Sequence, residues 1–453
     1  KLPFEVVTDA ITLPLVSLSV TFAALFHGHS VFSPSITTAS SGIRGKSRVI
    51  FGFSERLDEG TFISGENGIT NMIDFHLLTD GGFEREAFEP SGFKYITVFI
   101  TEGEGEICDL CVRQMLSPTD KAPKIKCDNS NIKKIYKAAL QSYRCNCIDE
   151  FYDCPTRERA GWLCDSSFSA KTEFFLTGEN IIEKSFLNSF VLGKPAYSKL
   201  LPEGITPMSY PSDVLDRKEN FIPQWTMHYV LEVFDFLKRN PDEKAIKFKK
   251  IIYDICKGFE KFENKDGLLE NLPGWSFVEW SAANEWTEGV NYPTNMLYSK
   301  VLECIATLYK DEELLKKCEA LRTKIVEKSF DGKFFKDDEK GNQSQVCQLY
   351  AVKYMGIDLN NYPEIKNFVF KGEIPDGFEP LNLFFGIYLL LDTLSELKEY
   401  KKLLEVIEEV FSPMAKETGT LWEHKIKKDS LNHGFPSCVM VHIYNALKAL
   451  NNK

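Results

Sequence analysis

The chain has 453 residues, 43% of them hydrophobic and 13% aromatic, which is enough for two or three domains with buried cores and excludes a disordered tail or a disulfide-stapled mini-protein. Acidic residues outnumber basic ones by 65 to 54, the net charge is −11, and no Lys/Arg-rich run occurs. Without a cationic surface to release counterions, DNA and RNA are excluded as partners.

The longest stretch free of Asp, Glu, Lys and Arg runs from Ala10 to Ile43. Glu5 and Asp9 precede it where a signal peptide has basic residues, and Pro14 with several Ser and Thr breaks the apolar run a membrane helix needs. Folded strands are expected there, with no membrane partner. Localisation stays open between cytoplasm and periplasm. Up to about residue 115, hydroxyl, β-branched and aromatic residues alternate between breaks at Gly28, Gly65 and Gly81-Gly82. The clearest strand pair is Phe93 to Ile100 and Ile107 to Arg113 around Gly103-Glu104-Gly105, and the pattern is that of an antiparallel β-sandwich. Gly42 to Ser47 is two residues short of a phosphate-binding loop and lacks a following helix, so no nucleotide site is read there.

From Asp128 the period changes. Ile132, Ile135, Tyr136, Ala139, Leu140 and Tyr143 recur at three and four, as one helix face requires. The boundary falls near Ser117 to Lys126, which divides the chain into a β-sandwich domain, 1–120, and a helical domain, 121–453. Twelve helical segments follow: 129–149, 161–178, 179–192, 220–239, 241–263, 288–308, 310–330, 343–355, 360–370, 381–395, 396–412 and 434–451. Long connections follow the odd-numbered segments and short ones the even-numbered. That alternation predicts six helical hairpins closed into an (α/α)6 barrel with every long loop at one end, where function is expected.

Twelve scattered cysteines, including the close pairs Cys108/Cys111 and Cys145/Cys147, lack a second pair or a His at zinc spacing and are read as buried free thiols. No metal and no organic cofactor are expected. Five of the six tryptophans, Trp162, Trp275, Trp280, Trp286 and Trp422, fall in or beside the long loops, where they read as stacking platforms for a sugar ring. The first long loop packs Asp153, Glu158 and Asp165 among Arg157 and Arg159, and Arg157 is also a candidate sugar-binding residue. Such crowding sets one carboxyl apart as a proton donor while the arginines keep others ionised. The last long loop holds Trp422-Glu423-His424 and Asn432-His433 and, by the hairpin count, lies beside the first. Two carboxyls facing each other across a water-sized gap form the inverting glycosidase pair. His433 either binds a hydroxyl or caps the last helix.

Asp153 to Asp165 resembles the Asp-Cys-Pro-Gln-Arg-Glu-Arg-Leu-Gly-Trp-Thr-Gly-Asp signature of the glycoside hydrolase family 78 α-L-rhamnosidases. Leu421-Trp422-Glu423 and Ser430-Leu431-Asn432-His433 are similar to that family's late elements, and Phe83 to Tyr95 resembles the last strands of its preceding β-domain. The resemblance implies inverting hydrolysis of terminal α-L-rhamnosides, with Glu158 as general acid and Glu423 as general base. It also implies that Asp153 and Asp165 hold sugar hydroxyls and support the acid. Thr156, Ala160, Leu163 and Cys164 depart from the signature, and His424 and Gly434 stand where Arg and Tyr are usual, so the sugar is left open. The competing expectations are a catalytically inactive sugar-binding homologue, which would keep the aromatics without turnover, and a toroidal polysaccharide lyase, whose anionic substrate the acidic first loop would repel. Oligomeric state is not read from the sequence.

Overall fold

The computed structural model describes residues 19–23, 35–58, 61–63, 71–78, 82–86, 91–104, 106–115, 117, 122–211 and 221–451. The chain divides into two compact units, Lys1–Arg159 with Val410–Met440, and Ala160–Glu409 with Val441–Lys453. Antiparallel sheet occupies the N-terminal part and helices most of the remainder.

Ten strands lie in the first unit among its described residues: β1 (Ser19–Ala23), β2 (Ser35–Arg44), β3 (Ser47–Ser54), β4 (Leu57–Asp58), β5 (Thr61–Phe62), β6 (Met72–Leu77), β7 (Gly82–Glu86), β8 (Ser91–Phe93), β9 (Tyr95–Gly103) and β10 (Glu106–Met115). One sheet has the order β1-β9-β3-β6, the other the order β10-β2-β7 with β8 also on β2, and β4 and β5 form a small ribbon. Side chains alternate across a strand, so Val49, Phe51 and Phe53 of β3 share one face; in the register they oppose Ile100, Val98 and Ile96 of β9. They are buried with Phe93 of β8, which packs on Phe53 at 5.0 Å between ring centroids and so joins a strand of each sheet. Of the apolar stretch Ala10 to Ile43, the parts within β1 and β2 are strands; the rest lies outside the described residues, as do the side chains of Cys108 and Cys111.

The expected strand pair is corrected. β9 pairs with β1 and β3, whereas β10 pairs with β2 in the other sheet, so the chain crosses between sheets after Gly103. Alternation tells which face of a strand is buried but not which strand sits beside it. At the crossing Gly103 has φ 71°, and a Cβ there would come 2.1 Å from the carbonyl oxygen of Lys46 in the β2–β3 turn. Only glycine fits that backbone approach. Gly42 to Ser47 is itself strand, turn and strand, not a phosphate loop.

The first unit also contains α1 (Ser130–Asn146). Asn129 caps it by accepting from the backbone N–H groups of Asn131 and Ile132 at 2.8 and 3.2 Å, and the expected stripe of Ile132, Ile135, Tyr136, Ala139 and Tyr143 is buried.

Nine helices lie wholly in the second unit among its described residues: α2 (Asp165–Thr177), α3 (Ile181–Tyr197), α4 (Pro223–Arg239), α5 (Ile246–Glu260), α6 (Tyr292–Tyr309), α7 (Glu312–Ser329), α8 (Gln345–Tyr350), α9 (Pro363–Lys371) and α10 (Tyr388–Glu396). Two more, α11 (Tyr400–Glu417) and α12 (Val439–Asn451), complete the set. Asn291, Asp311 and Ser344 cap α6, α7 and α8, and Gly178 and Gly372 end α2 and α9 in the left-handed region. The helices fall where the periodicity predicts them, with long links after odd-numbered helices and short turns after even-numbered ones. Burial alternates too. α4, α6, α8 and α10 are buried nearly all round, while α5, α7 and α9 bury one face. Consecutive even helices pack on one another, α4 with α6, α6 with α8 and α8 with α10.

One expected helix, 381–395, starts late. Residues 383–387 are irregular, with non-helical angles at Phe384 and Phe385, because the buried carboxyl of Glu279 accepts from the backbone N–H groups of Asn382 and Gly386 at 2.9 and 3.0 Å. A side chain distant in sequence has replaced the helix's own acceptors, which local periodicity cannot show. Among the described residues ten cysteines are free thiols, nine of them buried, as the scattered spacing predicts.

Candidate active site

Two loops of the first unit carry the chemistry. The first leaves the end of α1, where the N–H of Tyr152 bonds the carbonyl of Asn146 at 2.8 Å, and runs through Asp153 to Glu158. Asp153 and Cys154 are buried, and the side chain of Glu158 is 34% exposed. The Cys154 thiol, pushed well above its ordinary pKa by burial and held protonated, lies 3.8 Å from Oε2 of Glu158 and donates to it.

The second loop follows α11. The N–H of Leu421 donates to the Ser142 hydroxyl of α1 at 2.8 Å, and the Asn146 amide donates to Asn432 at 3.0 Å. Glu423 and Ser430 pair through their backbones at 3.0 Å, and His433 donates its N–H to Leu421. The N–H of Gly434 closes onto the carbonyl of Asp153 at 2.7 Å, which joins the late loop to the early one. The expected adjacency of the two loops holds.

Arg157 lies between them. Its Nε is 3.1 Å from Oε2 of Glu158, while one terminal nitrogen reaches both oxygens of Glu423 at 3.0 and 3.2 Å, and another lies 3.8 Å from Asp429. A guanidinium is flat and rigid, so the nearest oxygens of Glu158 and Glu423 are separated by no more than about 8.5 Å. The Glu423 side chain is 7% exposed, and burial raises its pKa; Arg157 opposes that rise and Glu158 adds to it. Burial works against the charge of Arg157, but Glu423, Glu158 and Asp153 together hold its pKa above the ordinary value. The sequence placed Arg157 among sugar-binding residues; the structure makes it the bridge between both carboxyls.

His433 is buried against Phe435, with Nε2 3.9 Å from Asp153, and burial followed by Arg157 and His424 pulls its pKa well below 6.5. It is therefore a neutral imidazole. Trp422 is a correction: it is buried, and its indole N–H donates to the Thr418 hydroxyl at 2.8 Å. It does not stand exposed as a stacking platform, because a Trp N–H with a local acceptor can be buried. Asp153, Cys154 and Glu158 bring ligand atoms within 4.8 Å of one another, as do Glu423, His424 and Asp429. With the Arg157 cation pairing to both sets, an added metal cation would meet like charge, so neither set is read as a metal site.

The remaining predicted residues belong to the second unit. Trp162 pairs as an isolated bridge with Ser209, and Asp165 opens α2. Cys164, just before it, sits at φ 73°, a conformation that favours glycine, and here the family signature has Gly. The strained turn survives because Glu232 of α4 accepts from the Cys164 N–H at 2.8 Å and the Ser166 hydroxyl at 2.6 Å, satisfying donors at the start of α2. Burial pushes Glu232 up to about 7. Since the folded pKa exceeds the unfolded one, its contribution to stability is complete below about 4.5 and is lost as pH rises through about 7. Glu232→Gln should therefore flatten the fall in thermal midpoint between pH 5 and pH 8; an unchanged pH dependence in scanning calorimetry would refute this. Trp275 and Trp280 are 41% and 36% exposed and lie 5.5 Å apart, next to a groove of about 420 Å³ lined by Leu272, Gly274, Trp275, Asn284 and Thr287. Trp286 is half-buried at the end of the short helix Ala282–Glu285.

A sequence profile for the bacterial α-L-rhamnosidase six-hairpin glycosidase domain matches residues 120–441. The chain belongs to that family. That family is described as a six-hairpin glycosidase domain. Similar solved structures include the family 78 rhamnosidase of Bacillus sp. GL1, with TM-score 0.80, 16% identity and coverage of 96% of this chain and 47% of that one. The rhamnosidase from Klebsiella oxytoca with rhamnose bound has TM-score 0.75, 13% identity and coverage of 94% and 87%. The α-L-rhamnosidase of Aspergillus terreus has TM-score 0.66, 15% identity and coverage of 91% and 51%. The chain thus spans about half the length of the first and third structures, and at these identities the likeness concerns the fold. No curated protein sequence matches the chain.

Sequence reasoning missed Glu55, Asp429 and the bridging use of Arg157. Asp429, at φ 53°, holds His424 Nε2 at 2.9 Å. Glu55 follows the apolar alternation of β3 and reads as an ordinary surface charge; only its burial beside the loops marks it.

Proposed function

We propose that this family member is an inverting exo-glycoside hydrolase that releases terminal α-L-rhamnose, or a related neutral sugar, from glycosides or polysaccharides. The observation that carries the reading is the single guanidinium of Arg157 held between Glu158 and Glu423. Glu158, the more exposed carboxyl, protonates the glycosidic oxygen as the bond to the aglycone breaks. Glu423 takes the proton of a water that attacks the opposite face of the ring. Arg157 favours the ionised form of Glu423 against its burial, which a base requires. In this reading Asp153 and the neutral His433 hold sugar hydroxyls, and Asp165, Trp162, Trp275, Trp280 and Trp286 are the remaining candidate contacts.

The proposed architecture is a β-sandwich, 1–120, followed by an (α/α)6 barrel, 121–453. The shared core of the two sheets supports the first, and the alternation of fully and half-buried helices supports the second. A carbohydrate is the partner proposed.

The separation bound of about 8.5 Å admits both the inverting spacing of about 6.5 to 9.5 Å and the retaining spacing of about 5.5 Å, so stereochemistry is the decisive measurement. Nitrophenyl α-L-rhamnoside should be the best substrate in a panel of nitrophenyl glycosides, and NMR should show β-rhamnose as the first product. First release of the α-anomer would overturn the role of Glu423. Sugar binding without turnover of any glycoside would favour the inactive homologue.

A further inference from the structure

We propose that Glu55, at the end of β3, is a positioning residue that ties the loop of the proposed acid to the loop of the proposed base; this rests on the glycosidase reading above. Glu55 lies outside residues 120–441 that match the family's helical domain, and it is 2% exposed. Three donors converge on its carboxyl. The Thr156 hydroxyl donates to Oε1, and the Leu431 N–H donates to Oε2 at 2.7 Å. The Ser430 hydroxyl lies 3.1 Å from Oε1 and 2.9 Å from the Asn432 carbonyl, so its one proton serves two acceptors.

Each of these partners adjoins the chemistry. Thr156 directly precedes Arg157 and Glu158. Ser430 donates its N–H to Oε2 of Glu423 at 3.3 Å and accepts the Glu423 N–H at 3.0 Å. A second strand contact reaches the acid loop independently: a Cβ on Gly92 of β8 would come 2.4 Å from the carbonyl oxygen of Pro155. Strand residues therefore meet the acid loop at Pro155 and Thr156, immediately before the Arg157 bridge. An ionised carboxyl is an acceptor only, which suits N–H and hydroxyl donors arriving from two loops at once. In Glu55→Gln one arm of the side chain becomes a donor, so one of the two loops loses its anchor.

The test uses the full chain and the nitrophenyl glycoside that the wild type turns over best. Thr156→Val and Glu55→Gln should each lower kcat by about a hundredfold while KM and L-rhamnose affinity stay within about threefold, since an ångström of misplacement costs the chemical step more than binding. The acid limb of the kcat/KM profile should move in both variants: Thr156→Val loosens the segment that sets Arg157 against Glu423, and Glu55→Gln loosens Ser430, whose N–H contacts Glu423. Thr156→Ser, which restores the hydroxyl, should return kcat to within about threefold of wild type. Gly92→Ala, which displaces Pro155 and leaves Glu55 intact, should also lower kcat. A folded Thr156→Val with wild-type kcat and pH profile overturns the proposal, as does an equal loss in Thr156→Ser. If Glu55→Gln does not fold, Thr156→Val and its serine rescue decide. A wild-type chain that hydrolyses some other glycoside leaves this comparison intact, and one that hydrolyses nothing overturns the glycosidase reading as well.

Discussion

Glu158→Gln should abolish measurable turnover of an alkyl α-L-rhamnoside while leaving L-rhamnose affinity within about threefold of wild type, because a general acid contributes about 10² to 10⁴ in rate and acts in the transition state. The substitution keeps the shape of the side chain but removes the transferable proton. Loss should be smaller for a nitrophenyl aglycone, which leaves readily without protonation. Steady-state kinetics on both aglycones and titration calorimetry with L-rhamnose measure these effects. Equal losses on the two leaving groups would reject Glu158 as the acid.

Glu423 and Arg157 are expected to behave as a coupled pair. Glu423→Gln should reduce kcat by about 10³-fold on every aglycone, since activating water is needed whatever the leaving group. Arg157→Met leaves Glu423 in place but removes the cation that opposes its burial. Its pKa should rise further and the base should be protonated over more of the pH range, so the acid limb should move to higher pH and neutral-pH activity should fall. Arg157→Lys should rescue this only in part, because an ammonium is a point charge and cannot present separate nitrogens to Glu158 and Glu423. An Arg157→Met profile whose acid limb stays at the wild-type pH would show that Arg157 is not setting the ionisation of Glu423.

Much of this was readable before any coordinates. The strand patterns of Phe93 to Ile100 and Ile107 to Arg113 and the three-and-four spacing of Ile132, Ile135, Tyr136, Ala139 and Tyr143 mark strand and helix because side-chain direction follows backbone geometry within a few residues. The density of charge in Asp153 to Asp165 and the Trp422-Glu423 corner singled out both carboxyls. Sheet partners were not readable: β9 and β10 follow each other in the chain yet belong to different sheets. Neither was the late start of α10, where Glu279 supplies acceptors from far along the chain. Trp422 illustrates the same limit, since its sequence neighbours resemble those of an exposed platform while Thr418 gives its indole N–H a buried partner.

What the sequence determined alone is therefore the order and kind of elements, the residue types at the site and the family, all of which depend on short-range periodicity and on motif spacing. Which charges share one cation, which tryptophans are exposed, and the burial of Glu55 between two loops separated by some 270 positions were decided only by the tertiary structure. The physical reason is that desolvation and Coulomb interaction depend on distance in space, and a strand end, an early loop and a late loop become neighbours only when the chain has folded.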